Sequence, residues 1–378
     1  MRILSVDIGT GTQDIFLFDS RVDIENGFKL VVPSPTMMIH RRLKELTRQG
    51  SDVILTGLTM GGGPSQWAVE GHIEAGNRVF ATPDAARSFN DDLAVIHEMG
   101  IIVVSEEEAQ ALPNNIARLE LRDFDFPAIV SAFAQFGVSL ADLAAVAVAV
   151  FDHGNAPPHV SDRQFRFDYI QERIAANRQL NTFAFKAEDI PPIMTRLQAV
   201  AHSARDVDAP LVVMDTAPAA VLGATFDPIV RQRQRVVIAN VGNFHTLAFR
   251  LGHSGIEGVF EHHTGLLDQD KLERLLQALA AGTLQHEEVF ADHGHGAHIS
   301  FPEPLPIIQN DMGVVVTGPR RAMMVGSQLQ PYFATPFGDM MLTGCFGLLA
   351  GVSGTLPELA APIRASLQGQ GGSGTPPW

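Results

Sequence analysis

Residues 6–19 read VDIGTGTQDIFLFD, two apolar runs joined by a polar turn. Asp7 ends the first run, Gly9, Thr10, Gly11, Thr12 and Gln13 make the turn, and Asp14 opens the second run. A glycine turn leaves backbone N–H groups exposed, and no Cβ blocks a phosphate that approaches them. Thr10 and Thr12 add hydroxyl donors. A carboxylate at a strand end, as Asp7 is, can anchor hydrated Mg²⁺, a hard cation that takes oxygen ligands. Asp14 more simply satisfies N–H groups of the hairpin. A second polar turn between apolar runs occurs at residues 240–246, NVGNFHT, with Asn240, Gly242, Asn243 and His245 as its polar and glycine positions. Two such turns facing each other would clamp a polyphosphate.

Other stretches carry chemistry of their own. Asp152 and His153 follow a strongly apolar strand in VFDHG. Ligands of α/β sheets sit beyond the carboxyl ends of strands. A carboxylate there can orient or deprotonate a nucleophile; the plainer reading is a turn aspartate before Gly154. Gly61, Gly62 and Gly63 in LTMGGGP would let a substrate lie against the backbone, or make a flexible loop. His262 and His263 end a strand expected to run parallel to the one before Asn240, which puts both on the cleft side. His293 and His295 alternate in ADHGHGAH and can bind a transition metal. Their spacing matches no specific metal motif, and a solvated loop is the simpler reading.

These residues need elements to hold them. Strand and helix signals alternate along the chain, which predicts an α/β class. RILSVDI, QDIFLFD and FKLVVP read as a three-strand meander, and a helical period follows up to Gly50. Residues 77–125 are less regular and read as an insertion. The halves then repeat. VDIGTGTQDIFLF aligns with ANVGNFHTLAF, and DVILTGL with GVVVTGP. Such a repeat implies two similar α/β domains, 1–155 and 156–368, with a flexible Gly/Ser/Pro tail at 369–378 and a cleft between the domains.

Composition narrows the partners. The chain has 378 residues, too many for one core, and 46% of them are hydrophobic. A formal net charge of −15 argues against a nucleic-acid partner. No apolar run reaches the length of a membrane span, and the chain opens directly on a strand without a signal-peptide pattern, so a cytoplasmic setting is expected. There is one cysteine, Cys345, which excludes an internal disulfide and a four-thiolate iron–sulfur cluster from a single chain.

In order, DIGTGTQD, DTAPAAVLG at residues 215–223, NVGNFHT and VVVTGPRR at residues 314–321 resemble four elements of the actin, sugar-kinase and heat-shock chaperone ATPase superfamily. The resemblance implies two duplicated actin-like, ribonuclease H-like domains with ATP and Mg²⁺ in the cleft. It makes the first stretch a phosphate loop, the second a connecting helix, and the third the second phosphate loop. In the fourth, Gly318, Pro319 and Arg320 would lie against adenosine, with Arg321 beside them. The string is closer still to a family in that superfamily labelled pyruvate formate-lyase activating enzyme-like. That label implies cluster chemistry with several cysteines, where this chain has Cys345 alone. The second loop departs from the superfamily pattern: Asn240 stands for the usual aspartate, Phe244 for a glycine, and His245 for a hydroxyl residue.

Three functions follow as expectations. The first is an ATP- and Mg²⁺-dependent phosphotransferase or ATPase acting on an unknown small molecule or protein, with Asp7 on the metal and Asp152 on the nucleophile. The second is an ATP-dependent hydrolase of hydantoinase or oxoprolinase type, or an amide-forming enzyme. The third is a nucleotide sensor without hydrolysis. A homodimer stays open.

Overall fold

The computed structural model describes residues 1–307 and 313–372. The chain begins with an antiparallel meander of β1 (Arg2–Ile8), β2 (Thr12–Asp19) and β3 (Phe28–Pro33). It then leaves this sheet. β4 (Val53–Gly57), β5 (Val79–Ala81), β6 (Ile101–Val103) and β7 (Ala117–Leu121) form a separate parallel sheet in the order β6-β5-β4-β7. β8 (Ala145–Val150), β9 (Ala184–Lys186) and β10 (Leu211–Asp215) return to complete the first sheet, β3-β2-β1-β8-β10-β9. All six residues of β8, AVAVAV, are buried, as a central parallel strand covered on both faces requires.

The second sheet repeats this plan. β11 (Val236–Val241), β12 (His245–Gly252) and β13 (Gly255–His263) form the meander. β14 (Gly296–Ile299) adds at its edge, and β15 (Val314–Thr317) and β16 (Tyr332–Phe333) run parallel on the other side of β11. The order is β14-β13-β12-β11-β15-β16. Each half is therefore two antiparallel neighbours followed by two parallel ones about a central first strand. The fold is α/β with two duplicated ribonuclease H-like halves, the actin-like arrangement.

Two helices lie between the sheets, Thr216–Ala224 and Thr343–Thr355. They approach backbone to backbone: a Cβ at Gly223 would overlap the Thr343 carbonyl oxygen, and one at Gly347 would overlap that of Ala219. A continuous apolar core runs through them, joining Ile3, Phe16 and Val212 of the first sheet to Ile238, Leu247 and Phe249 of the second.

The topology moves three boundaries read from sequence. The strand at 53–57 belongs to the separate sheet, so the counterpart of β15 is β8. Both candidates are apolar runs ending at a polar residue or glycine, a pattern that does not say which sheet a strand joins. The insertion accordingly starts directly after β3 rather than at 77. The change of sheet falls after Asp215 rather than at 155, because β9 and β10 pair within the first sheet. Of the tail expected at 369–378, residues 373–378 lie outside the described residues. Among the described residues no single helix is long and apolar enough to cross a membrane.

Candidate functional site

The two hairpin turns are built alike. In the first, the Gly9 N–H donates to the Thr12 carbonyl oxygen at 2.9 Å; in the second, the Gly242 N–H donates to the His245 carbonyl oxygen at 3.0 Å. They meet across a cavity of about 280 Å³. The first turn is braced by Ser34, whose hydroxyl donates to the Thr10 carbonyl oxygen at 2.5 Å and caps the helix Pro35–Gln49. Glycine at position 11 answers to the opposite turn, since a Cβ there would lie 2.7 Å from Asn243 Nδ2. Gly11 is not among the residues with positive φ, so this close approach, and no left-handed backbone, requires it. Gly318 does sit at φ +98°, and its missing Cβ leaves room for Asn240 Oδ1.

Asp7 lies at the floor of the cavity. Its Oδ1 accepts the Thr216 hydroxyl at 2.6 Å, and Gly344 packs against its other side. Asp7 and Asp14 are cross-strand partners. Burial, together with the nearby Asp215 carboxylate, raises the Asp7 carboxyl to about 7 against the opposing Thr216 bond. Burial and the adjacent Asp7 raise Asp14 to about 8. Asp14 Oδ1 is buried without a partner.

The strand end after β8 supplies the far wall. Asp152 lines the cavity, but both of its carboxylate oxygens accept backbone N–H groups, from Gly154 at 2.8 Å and Leu197 at 2.8 Å. These two bonds fix the loop and the start of the helix Thr195–Ser203, and leave about two of the carboxylate's roughly four lone-pair sites. The Phe151 ring is sandwiched between the Arg166 guanidinium, 3.7 Å from its centroid, and His245, stacked at 4.0 Å and 9°. Arg166 is buried and ion-paired with Asp215 at 2.7 Å and Glu261 at 2.9 Å. Arg196 forms a two-pronged pair with Asp123 and also donates to the Phe151 carbonyl oxygen at 2.6 Å.

Asp7, Gly9, Thr10, Thr12, Asp152, His153, Asn240, Gly242, Asn243, His245, Gly318, Pro319 and Gly61, Gly62 and Gly63 all line this one cavity. The glycine triplet is packed rather than loose: Gly61 lies against Arg196, Gly62 against the Ser88 carbonyl, and Gly63 against Phe244. Gln13 turns aside to the Pro33 carbonyl oxygen, 3.3 Å away. Arg320 is exposed and holds Val241 only through its backbone N–H. His262 does not face the cleft. Consecutive strand residues point to opposite faces, and its Nε2 meets Asp292 at 3.2 Å on the far side of the sheet from His263. The segment 291–298 is not a solvated loop: His295 is fully buried and Gly296–Ile299 is a strand, while His293 is exposed. Ser34, Arg166, Arg196, Thr216 and Glu261 also build the site, outside the residues that the motifs single out. Thr216 had a signal, as the residue after a strand-end acid at a helix start. Arg166 reads in sequence as one more charged residue on an amphipathic helix.

Fold and site together define a duplicated α/β protein of the actin-like class, with two hairpin turns closing on an acidic floor. The chain belongs to the family described as "Putative pyruvate format-lyase activating enzyme (DUF1786)", whose model matches residues 60–323. No curated protein sequence matches it. Solved structures similar to it include an activator of 2-hydroxyisocaproyl-CoA dehydratase from Clostridium difficile with bound ADPNP, at 10% identity over 98% of this chain and 96% of that one, TM-score 0.32. A ROK hexokinase from Thermus thermophilus is similar at 12% identity over 98% and 97%, TM-score 0.29. An exopolyphosphatase-like protein follows at 9% identity over 97% and 92%, TM-score 0.27. At those scores the fold assignment rests on the strand order of the chain itself.

Proposed function

We propose that the cleft binds a Mg²⁺–nucleoside triphosphate and transfers or hydrolyses its terminal phosphoryl group. The observation that carries this reading is the pair of hairpin turns at the ends of β1 and β11, closed by the same hydrogen bond and meeting over buried Asp7. In-line phosphoryl transfer needs mainly positioning and charge neutralisation. Phosphates would lie along Gly9–Thr10–Gly11–Thr12, and the nucleoside near Gly318 and Pro319. The acceptor is a small molecule or protein of unknown identity.

The acid pair fits Mg²⁺. Two carboxylates lie side by side with no cationic partner among the described residues, one oxygen is orphaned, and both are held toward the neutral form by burial. Asp7 would hold the ion directly or through its waters, where it would neutralise phosphate charge. Asp152, with both oxygens engaged, acts as a positioning residue. The activity named in the family's description finds no support in the residues. Iron–sulfur clusters are held by several cysteine thiolates, and the only cysteine, Cys345, is buried with its thiol directed at the Asp14 carbonyl oxygen, 3.1 Å away.

A second reading, a sensor that closes on nucleotide without turnover, is favoured by Phe244. Its ring stacks on Trp67 at 5.4 Å and 28°, bridging the second half to the inserted unit. A thermal-shift series with ATP, ADP and GTP, with and without Mg²⁺, tests the site. A ligand at ~100 times its dissociation constant stabilises the native state by about 2.7 kcal/mol. Absence of any nucleotide-dependent shift would overturn both readings, and phosphate release separates the first from the second.

A further inference from the structure

Three histidines from distant stretches converge at one side of the cleft. His153 follows β8 of the first half, His245 opens β12 at the second turn, and His295 precedes β14. One ring nitrogen from each lies within 4.8 Å of the others. His245 Nε2 and both ring nitrogens of His295 are buried and have no hydrogen-bond partner. Orphaned buried imidazole nitrogens are uncommon, because each gives up its hydrogen bonds to water for nothing in return. The rings are fixed by packing rather than by hydrogen bonds: His245 lies flat on Phe151, and His295 sits 5.1 Å from His245 and 5.9 Å from His153 between centroids.

We propose that His153, His245 and His295 form a first-row divalent transition-metal site, of the zinc class, with its fourth position open to the cleft. Neutral imidazole is a good ligand for such ions, whereas Mg²⁺ prefers oxygen. Three histidines and an open position form a recurrent catalytic coordination pattern. Burial, followed by the nearby Arg166 charge, lowers His153 to about 3 and depresses His295 further, so both are unprotonated at neutral pH, as ligands must be. The Arg166 charge, which would otherwise oppose a cation, is balanced by Asp215 and Glu261. His153 and His245 line the cavity, so the open position faces the same space as the two turns. This site is separate from the Asp7 floor and does not depend on nucleotide binding there.

The test is metal stoichiometry and affinity in the full chain, stripped with chelator and titrated with Zn²⁺ or Co²⁺ alone. The wild type is expected to bind one equivalent per chain, with a Co²⁺ visible spectrum typical of low-coordinate nitrogen ligation. His295→Ala and His153→Asn should each weaken binding by at least ~100-fold, at or beyond the upper end of the range for loss of a supporting residue. His293→Asn, an exposed position whose φ of +63° asparagine tolerates, should retain wild-type affinity. Circular dichroism identifies a variant that fails to fold; His153 is only partly buried, so His153→Asn still decides the matter if His295→Ala does fail. Substoichiometric binding by the wild type, or equal affinity in wild type and a folded His153→Asn, overturns the proposal.

Discussion

The two halves share a backbone plan and differ in the side chains they bring to the cleft. The first turn offers acids and hydroxyls: Asp7 and Asp14 pair across its strands, with Thr10 and Thr12 at the tip. At the matching places the second turn has Asn240 and Leu247, which pair across β11 and β12, with Asn243 and Phe244 at the tip and His245 after it. One turn carries the acids and hydroxyls to which the proposed function assigns a hard cation and a phosphate; the other is filled by an aromatic ring and opens onto a histidine cluster. The strand ends beside the turns diverge in the same way. After β15 comes the bare glycine Gly318, at φ +98°; after β8 come Phe151, Asp152 and His153 before Gly154, at φ +75°. Duplication preserved the hydrogen bond that closes each turn, a backbone feature, and left the side chains free to specialise.

The sharpest way to break this comparison is to fill the first turn. Gly11→Val puts a branched side chain where Asn243 already approaches, so we expect nucleotide affinity to fall at least ~100-fold, the loss of about 2.7 kcal/mol. Unchanged affinity, by calorimetry on a folded variant, would mean the phosphates lie elsewhere. Asp152→Asn comes next. It replaces an acceptor that serves two N–H groups with an amide that can serve only one well. The expected cost is about 1–3 kcal/mol of stability, read as a lower Tm. A variant with wild-type Tm and a collapsed turnover rate would restore Asp152 as a base.

A pH series probes the acid pair. In the metal-free protein Asp14 faces Asp7, Thr12, Asp339 and the Cys345 thiol. The folded state holds the Asp14 proton up to about pH 8, whereas the unfolded chain releases it near the ordinary value of 3.8. At Asp14 the folded state therefore binds more protons in that window, and this group's contribution to stability falls as pH rises from about 4 toward 8, opposite in sign to that of the buried histidines. Asp14→Asn should remove this contribution, so that Tm rises more or falls less across the window than in the wild type, and Mg²⁺ should act the same way on the wild type; identical pH slopes in Asp14→Asn and wild type contradict the placement. The smallest effect concerns the second turn. Phe244→Ala removes the Trp67 stack, worth about 0.5–1.5 kcal/mol, and widens the cavity. Nucleotide association should quicken by up to about tenfold in stopped-flow, with little change in Tm.

The turns and their order were legible because each is a local signal: glycine and polar residues between two apolar runs. The core strands were legible for the same reason, AVAVAV above all. Which strands share a sheet was not, since VILTG and VVVT look alike in sequence yet join different sheets. The histidine cluster was half legible. His153, His245 and His295 each stand out in the sequence, but there His295 pairs with its neighbour His293. Ligands drawn from three separate stretches leave no spacing to read. Arg166 left no signal, because a buried charge on a helix is marked only by the acids it meets after folding.

The two helices that touch through Gly223 and Gly347 meet the floor of the cavity at Asp7. Thr216, at the start of one, holds one oxygen of that carboxylate, and Gly344, in the first turn of the other, packs against its second oxygen. Around that contact of bare backbone on bare backbone, Val221, Phe346 and Leu348 pack in one apolar core, and the distance between the helix axes is fixed. Asp7 thus sits where both of those helices meet the first turn. A change in charge or ligation at that one carboxylate therefore acts on both helices at once, and through them on the packing that joins the two sheets.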